Sequence, residues 1–564
     1  MAGITFDHLY RYHELSNALH SLAAQFPSLL TVESVGTSYE GRDIWLATVT
    51  NQATGAHTEK PAIWADANIH SIEHTGSLAA LYLIYKLVNE YGTDPLVTTA
   101  LDTRTFYVMP RVNPDGAELA LADSPEFLRS SVRKWPRADD QPGLVEHDVD
   151  GDGRLLTMRV VDRNGPWKIS DRDPRLLVAR TPTDVGDGPF FRLMYEGTIR
   201  EYDGMKVTTA PDRRNLDLNR QFPAGWRVHG EQVGAGPFPL SEPETRTLAE
   251  ALVARPNVCC YFAHHTFSAV LLRPFDDRPD SEFPTNDLKR YNALGARGAE
   301  ITGYRHVGVY NDFRYDPKDV ITGGADTWVY DHLGVFGWTT EFWSPLPHAG
   351  ITDYHLVDWF ADHPIEQDLQ LLAYSDNELN GKGFVNWYPF DHPQLGPIEI
   401  GGWDTLRFWC NPPDHLLEAE IKPHADWQIY CALAAPQLRH RETMVQQLGG
   451  DTWRVRVAIE NCGWLPTNVT QRAVDKKIAL PVEATLSVPS GATIASGVAL
   501  VDLGQLQGHS RVTTMISDFG GAASDETPDI GVAEWVVAAG LGTEVNVTVQ
   551  HPKAGVLRIV ATLK

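Results

Sequence analysis

Two residues three apart, His70 and Glu73, offer an imidazole nitrogen and a carboxylate at the end of the apolar run 62–69. Such a pair, held on a tight turn, supplies two of the three protein ligands of an open catalytic zinc and leaves the fourth position to water. The same letters, His70-x-x-Glu73-His74, also spell a helical motif in which both histidines bind zinc and the glutamate is the base. That reading needs one helix through all five residues. Instead Ile63, Ala65, Ala67 and Ile69 alternate with Trp64, Asp66 and Asn68, the period of a buried strand. Leu78, Leu81, Tyr82 and Tyr85 then recur at helical spacing. A strand-to-helix junction favours His70 and Glu73 as ligands and sets His74 at the helix start, beside the metal rather than on it. Alone, the pair competes with an ordinary helix-start ion pair.

Further stretches follow in order: Tyr107–Gly116 with Asn113, Val132–Trp135 with Arg133, Asn215–Phe222 with Asn219 and Arg220, Phe262–Phe267 with His265, and Thr339–Trp343 with Glu341. Taken together with the first motif, they resemble the zinc carboxypeptidases of the carboxypeptidase A type. The resemblance implies a third zinc ligand at His265, which ends an apolar strand and precedes Thr266 and Phe267; His264 is its neighbour and competitor. It implies that Asn219 and Arg220 bind the substrate's terminal carboxylate, a task suited to the planar donor fork of a guanidinium. Glu341 takes the place of the general base, after an apolar stretch read as a buried strand that would desolvate it and raise its pKa. Arg133 takes the place of the arginine that polarises the scissile carbonyl, with Arg129 and Arg137 as close alternatives.

The chain departs from that family pattern at several points. Ile72 stands where well-known members carry an arginine. Alignment of Gly323-Gly324 puts Asp319 where a mobile tyrosine is found, with Tyr315 four residues earlier as the substitute substrate-binding residue. The same alignment sets Asp326 in the specificity pocket, where a carboxylate would favour a C-terminal Lys or Arg; Thr327 occupies the position one later.

The elements that must hold these residues read as an α/β fold with a mixed sheet over residues 1–435. An Asp-, Arg- and Pro-rich insertion, about 138–212, is expected to border the active-site funnel. It contains Asp148, Asp150 and Asp152 at alternate positions before Gly153, the first half of a calcium loop whose closing glutamate is replaced by Arg159. Beyond residue 436 the pattern alternates with period two over 453–459, 482–488 and 545–549, which reads as a small all-β sandwich carrying no chemistry of its own.

With 43% hydrophobic and 21% charged residues, the 564-residue chain has the composition of an ordinary globular enzyme. A net charge of −25 argues against a nucleic-acid partner, which would need a basic face. No apolar run reaches membrane-spanning length, and no signal peptide is visible at the start. Five cysteines show neither a disulfide framework nor metal spacing. The expectation is therefore a cytoplasmic protein, or a secreted one if a leader has been removed, with zinc and a calcium ion as cofactors. Its partner would be a peptide with a free C-terminal carboxylate; the oligomeric state stays open. Two rival functions share these letters: a deacylase or cell-wall peptide amidase on the same zinc cage, and an inactive peptide- or glycan-binding protein.

Overall fold

The computed structural model describes residues 3–186, 188–314, 318–510 and 526–564. Its centre is an eight-stranded mixed sheet. In spatial order the strands are Leu30–Thr37, Asp43–Val49, Thr105–Met109, Ala62–Ala67, Val258–Thr266, Phe336–Phe342, Val270–Arg273 and Arg305–Gly308. The four middle strands, from Thr105–Met109 to Phe336–Phe342, run parallel. Parallel strands are covered on both faces, so their sequences are apolar throughout rather than alternating with polar residues. Accordingly Ile63, Ala65 and Phe262 pack into one core with helices His74–Glu90, Thr285–Thr302 and Leu417–Ala434. Trp64, Tyr261 and Ala263 pack into another with Pro243–Val253 and Ala325–Leu333.

Register decides what meets at the carboxyl ends of these strands, where open α/β sheets form their crevices. His265 pairs with Glu341, and His264 with both Thr340 and Ala67. The turn bearing His70 therefore leaves the sheet beside His265.

The inserted segment builds a sheet of its own, in the order Phe384–His392, Gly396–Trp403, Thr157–Val161, Phe191–Tyr195, Trp167–Ile169 and Leu177–Ala179. Two of its strands come from residues 384–403, far along the chain, so the insertion packs sideways. Among the described residues, none of 138–212 lines the cavities at the metal-ligand cluster. The expected role of this segment at the funnel is thus corrected: its apolar residues, Met158 among them, are used against Ile398 and Ile400.

The C-terminal residues form two four-stranded sheets, each antiparallel throughout. Alternate residues Val455, Val457 and Ile459 of one meet Val545, Val547 and Val549 of the other, with Trp453 and Trp535 filling the space between. This is the packing of a β-sandwich. Among the described residues no helix is long and apolar enough to cross a membrane.

Candidate metal centre and substrate cavity

Strand Ala62–Ala67 ends at Asn68, whose φ of 57° is tolerated by asparagine and turns the chain sharply. Its side-chain amide donates to the carbonyl of His70 at 2.7 Å and holds the turn. The helix then starts at His74 with Glu73 at the N-cap position, but the Glu73 carboxylate bonds no helix N–H and faces His70 instead. Gly76 lets this helix start lie against the next strand: a Cβ there would sit 2.8 Å from the His264 carbonyl.

Strand alternation separates the two neighbouring histidines. His264 turns into the core, with Nδ1 3.3 Å from the Gly76 carbonyl and Nε2 2.6 Å from the Gln428 amide. His265 turns the other way, toward His70 and Glu73. The His74 ring is fully buried and apart from them, and burial holds its pKa well below the usual value.

Three ligand-type groups converge. His70 Nδ1 lies 2.8 Å from Glu73 Oε1, His265 Nδ1 lies 2.9 Å from Glu73 Oε2, and the two Nδ1 atoms are 3.1 Å apart. On its far side, His70 Nε2 donates to Asp217 Oδ1 at 3.1 Å. Two imidazole nitrogens and a carboxylate gathered this closely, with Asp217 behind one imidazole, form a donor cluster that could hold a cation. Zinc–ligand bonds of about 2.1 Å would hold tetrahedral donors about 3.4 Å apart, close to the spacing found. The donor set of two imidazoles and a carboxylate, with a carboxylate behind one imidazole, fits zinc.

Electrostatics agree with the geometry. Burial would raise the Glu73 carboxyl, yet the charges of His70 and His265 hold it well below the usual range. Burial likewise opposes ionisation of Asp217, and Arg129, Arg220 and His70 together outweigh it. For Glu341 the balance is reversed: burial first, then the nearby Glu73 charge, push its pKa well above the ordinary carboxylate value. Its Oε2 is buried without a hydrogen-bond partner and the residue faces the same cavity as His70.

That cavity also receives Asn219, Arg220, Asp276 and Asp326. The short helix Leu218–Arg220 is capped by Asp217, whose Oδ1 accepts the backbone N–H of Asn219 at 2.8 Å. Asn219 Oδ1 accepts from Ala325 N at 3.0 Å, tying it to the next helix. Gly323, at φ 73°, leaves room for the Arg220 carbonyl, which a Cβ would meet at 2.3 Å. Asp326 is buried, with Oδ1 accepting its neighbour's N–H at 2.8 Å and Oδ2 the Thr339 hydroxyl at 3.2 Å. Asp276 was not singled out in the sequence. It follows Pro274 and Phe275 just beyond strand Val270–Arg273, and that strand-end position in the same sheet was the available signal. Burial, then the charge of Asp326, raises the Asp276 carboxyl well above its usual value.

Three expectations are corrected or moved. Arg133 does not reach the cavity: its guanidinium forms a two-pronged pair with the buried Glu242, at 2.6 and 2.5 Å. Besides Arg220, the arginine lining the cavity is Arg129, anchored through Nε to Asp217 Oδ2 at 2.9 Å and lying 3.7 Å from Glu73. Asp148 and Asp150 do come together, but with Glu196 rather than Asp152. The Asp152 carboxylate instead accepts the N–H of Arg154, closing the turn locally. Tyr315 lies outside the described residues, and Asp319 is exposed, 3.4 Å from Arg227.

A family model described as zinc carboxypeptidase matches residues 15–151 and 194–356, just over half of the chain. A second, described as a domain of unknown function, matches residues 437–562. Carboxypeptidase A2 of Rattus norvegicus is 35% identical over 336 residues, covering 59% of this chain and 62% of its own. Carboxypeptidase B of Astacus astacus is 24% identical over 336 residues, covering 58% of this chain and 84% of its own. The chain thus spans less than two thirds of the rat relative. Among solved structures, the carboxypeptidase A from Helicoverpa armigera superposes with a TM-score of 0.40 at 18% identity, covering 60% of this chain and 66% of that one.

Proposed function

The chain belongs to the zinc carboxypeptidase family, and on that premise we propose that it is a zinc-dependent metallocarboxypeptidase hydrolysing the C-terminal peptide bond of peptides with a free carboxylate. The observation that carries this reading is the opening of His70, His265, Glu341, Asn219 and Arg220 into one cavity, with Glu73 bonded to both histidines. Held by His70, Glu73 and His265, zinc would supply Lewis acidity that acidifies water and polarises a carbonyl.

The protein residues divide the remaining work. Glu341, desolvated and raised in pKa, takes a proton from the attacking water and returns it to the leaving amine. Arg129, rather than Arg133, is placed to meet the negative charge that develops on the carbonyl oxygen. Asn219 and Arg220 hold the terminal carboxylate and so select the last peptide bond. Asp276 and Asp326 lie behind them as paired buried acids, which supports a preference for a C-terminal Lys or Arg. On the other side of the metal ligands, Phe267 and Phe360 wall the approach.

Residues 1–435 are read as the catalytic unit and 436–564 as an accessory one. The accessory unit is joined to it by Arg472 and Lys476 on Asp331 and by Lys553 on the carbonyls of Leu333 and Gly334. The five unpaired cysteines suit a reducing compartment. Calcium at Asp148 and Asp150, with Glu196 completing the set, belongs to the same reading; a rise in Tm on adding calcium, lost in Asp150→Asn, would support it.

The experiment is mass spectrometry of peptides incubated with zinc-loaded protein and with Glu341→Gln. Loss of single C-terminal residues by the wild type alone is the expected result. Intact peptides, with acyl-amino acids or cell-wall fragments cleaved instead, would replace it with the amidase reading. No cleavage of any of these would leave a binding protein.

A further inference from the structure

Away from the metal centre, a second cavity lies between the catalytic and accessory units. One wall is the amino end of the central sheet. There Leu252 and Val253 end the helix Pro243–Val253, Val258 opens the strand Val258–Thr266, and Leu333 and Val335 flank the turn from helix Ala325–Leu333 into strand Phe336–Phe342. The other wall is Ala473, Ile478 and Leu480, with residues 551–553 at the end of strand Glu544–His551. The cavity holds about 200 Å³, more than the roughly 150 Å³ that suffices for benzene in a protein core. His265 stands seven residues beyond Val258 on the same strand, about 23 Å away at about 3.3 Å per residue. The metal centre therefore opens at the opposite end of the sheet.

The lining is mostly apolar, and among the described residues it contains no Asp or Glu, although the chain carries 73 acids against 48 bases. Two of its neutral donors are spent within the protein. The Thr467 hydroxyl donates to Gln505 Oε1 at 2.8 Å, and His551 Nε2–H to the Leu480 carbonyl at 2.9 Å. Its cations are less fully answered. Lys553 Nζ donates to the carbonyls of Leu333 and Gly334 at 3.0 and 3.2 Å, which closes the end of the helix Ala325–Leu333. An ammonium has three donors, and a helix end offers only about half a negative charge. Among the described residues no carboxylate pairs with Lys553, and burial lowers its pKa to about 8. Arg255 is paired with Glu33 at 2.8 Å, yet its Nε is buried without an acceptor. Unanswered N–H donors on cationic groups in an apolar setting are costly, and an anionic acceptor removes the cost.

We propose that this cavity binds a small amphipathic monocarboxylate, a free fatty acid of medium chain length. Its aliphatic tail lies against Leu252, Leu333, Val335, Ala473 and Ile478, and its carboxylate accepts the open N–H of Lys553. A peptide would bring amide groups that this lining has little to pair with, and a cation would meet Lys553 with no acid to hold it. The ligand touches both units, so its binding holds the accessory unit against the catalytic one. The inference does not rest on the carboxypeptidase reading, since no residue of the metal centre takes part.

The test is isothermal titration calorimetry of the full chain with octanoate and with octylammonium, which has the same tail and the opposite charge. Octanoate is expected to fill one saturable site, with octylammonium at least tenfold weaker. Lys553→Met should bring the two affinities within about threefold of each other. Leu480→Asp sets a carboxylate at the rim of the cavity, at a position 57% exposed, and should weaken octanoate at least tenfold with the circular dichroism spectrum unchanged. This second variant decides the matter should Lys553→Met fail to fold. Absence of saturable octanoate binding, equal binding of octylammonium, or an octanoate affinity unmoved by Leu480→Asp would overturn the proposal. The last of these would place the acid elsewhere, at Arg220 for example. Hydrolysis is not the readout, so failure here leaves the carboxypeptidase reading standing.

Discussion

Replacement of Asp217 by asparagine probes the support of the metal centre. Asp217 Oδ1 accepts from His70 Nε2 at 3.1 Å and from Asn219 N at 2.8 Å, while Oδ2 accepts from Arg129 Nε at 2.9 Å. Asparagine has the same shape but only one acceptor oxygen. If that oxygen stays with His70 and Asn219, the new amide N–H faces the Arg129 N–H, donor against donor. Loss of the charge also makes His70 a poorer ligand. Removing the carboxylate behind a metal-bound histidine costs about 10–100-fold in metal affinity, which is about 1.4–2.8 kcal/mol. The side chain of Arg129 is 45% exposed, so water replaces much of its lost anchor. The further effect on kcat/KM at saturating zinc is then about tenfold, the low end for a hydrogen bond to a charged group. Zinc affinity is measured by competition with a chromogenic chelator near neutral pH, and kcat/KM with zinc in excess. Arg129→Met should lower kcat/KM further than Asp217→Asn does and spare zinc affinity. A zinc affinity for Asp217→Asn within twofold of the wild type would refute the reasoning.

Three other outcomes are expected. Glu341→Gln should lower kcat by about 10²–10⁴-fold, the range of general acid–base catalysis, with zinc content by mass spectrometry unchanged; loss of zinc would make Glu341 a ligand instead. Asp276→Asn and Asp326→Asn should each reduce the ratio of kcat/KM for C-terminal Lys over Leu, by about 10–10³-fold for a charge pair in a confined site, and an unchanged ratio would place the pocket elsewhere. The third concerns His551, whose pKa burial lowers to about 4 despite the Leu480 carbonyl that accepts its Nε2–H at 2.9 Å. The unfolded chain takes up this proton below about 6.5 and the folded one does not until about 4, so the contribution is complete above 6.5 and is lost as pH falls across that window. It amounts to at most about 3 kcal/mol. The Tm difference between wild type and His551→Asn should shrink from pH 7 toward pH 4; a constant difference would show that His551 does not titrate between the two states.

By itself the sequence determined what depends on neighbours along the chain. The period-two run 62–69 followed by helical spacing from Leu78 located the turn that carries His70 and Glu73. Alternation along 258–266 put His264 and His265 on opposite faces, while the family resemblance chose which of them joins His70 and Glu73. The alternating valines after residue 453 gave the C-terminal sandwich in the same local way. Tertiary structure alone decided what depends on distant partners. The segment 121–137 has no regular period, so nothing local tells which of its arginines enters the cavity. Glu242 takes Arg133 and Asp217 takes Arg129, each about a hundred or fewer residues away, and burial leaves neither carboxylate unpaired. Glu196 replaces Asp152 beside Asp148 and Asp150 because it stands next to the strand that folds back over that turn. Asp276 joins Asp326 because a short strand is threaded antiparallel beside Phe336–Phe342. Backbone periodicity is written in consecutive residues. Which charge answers which across the sheet is set by the register of strands hundreds of residues apart, and that register exists only once the chain has folded.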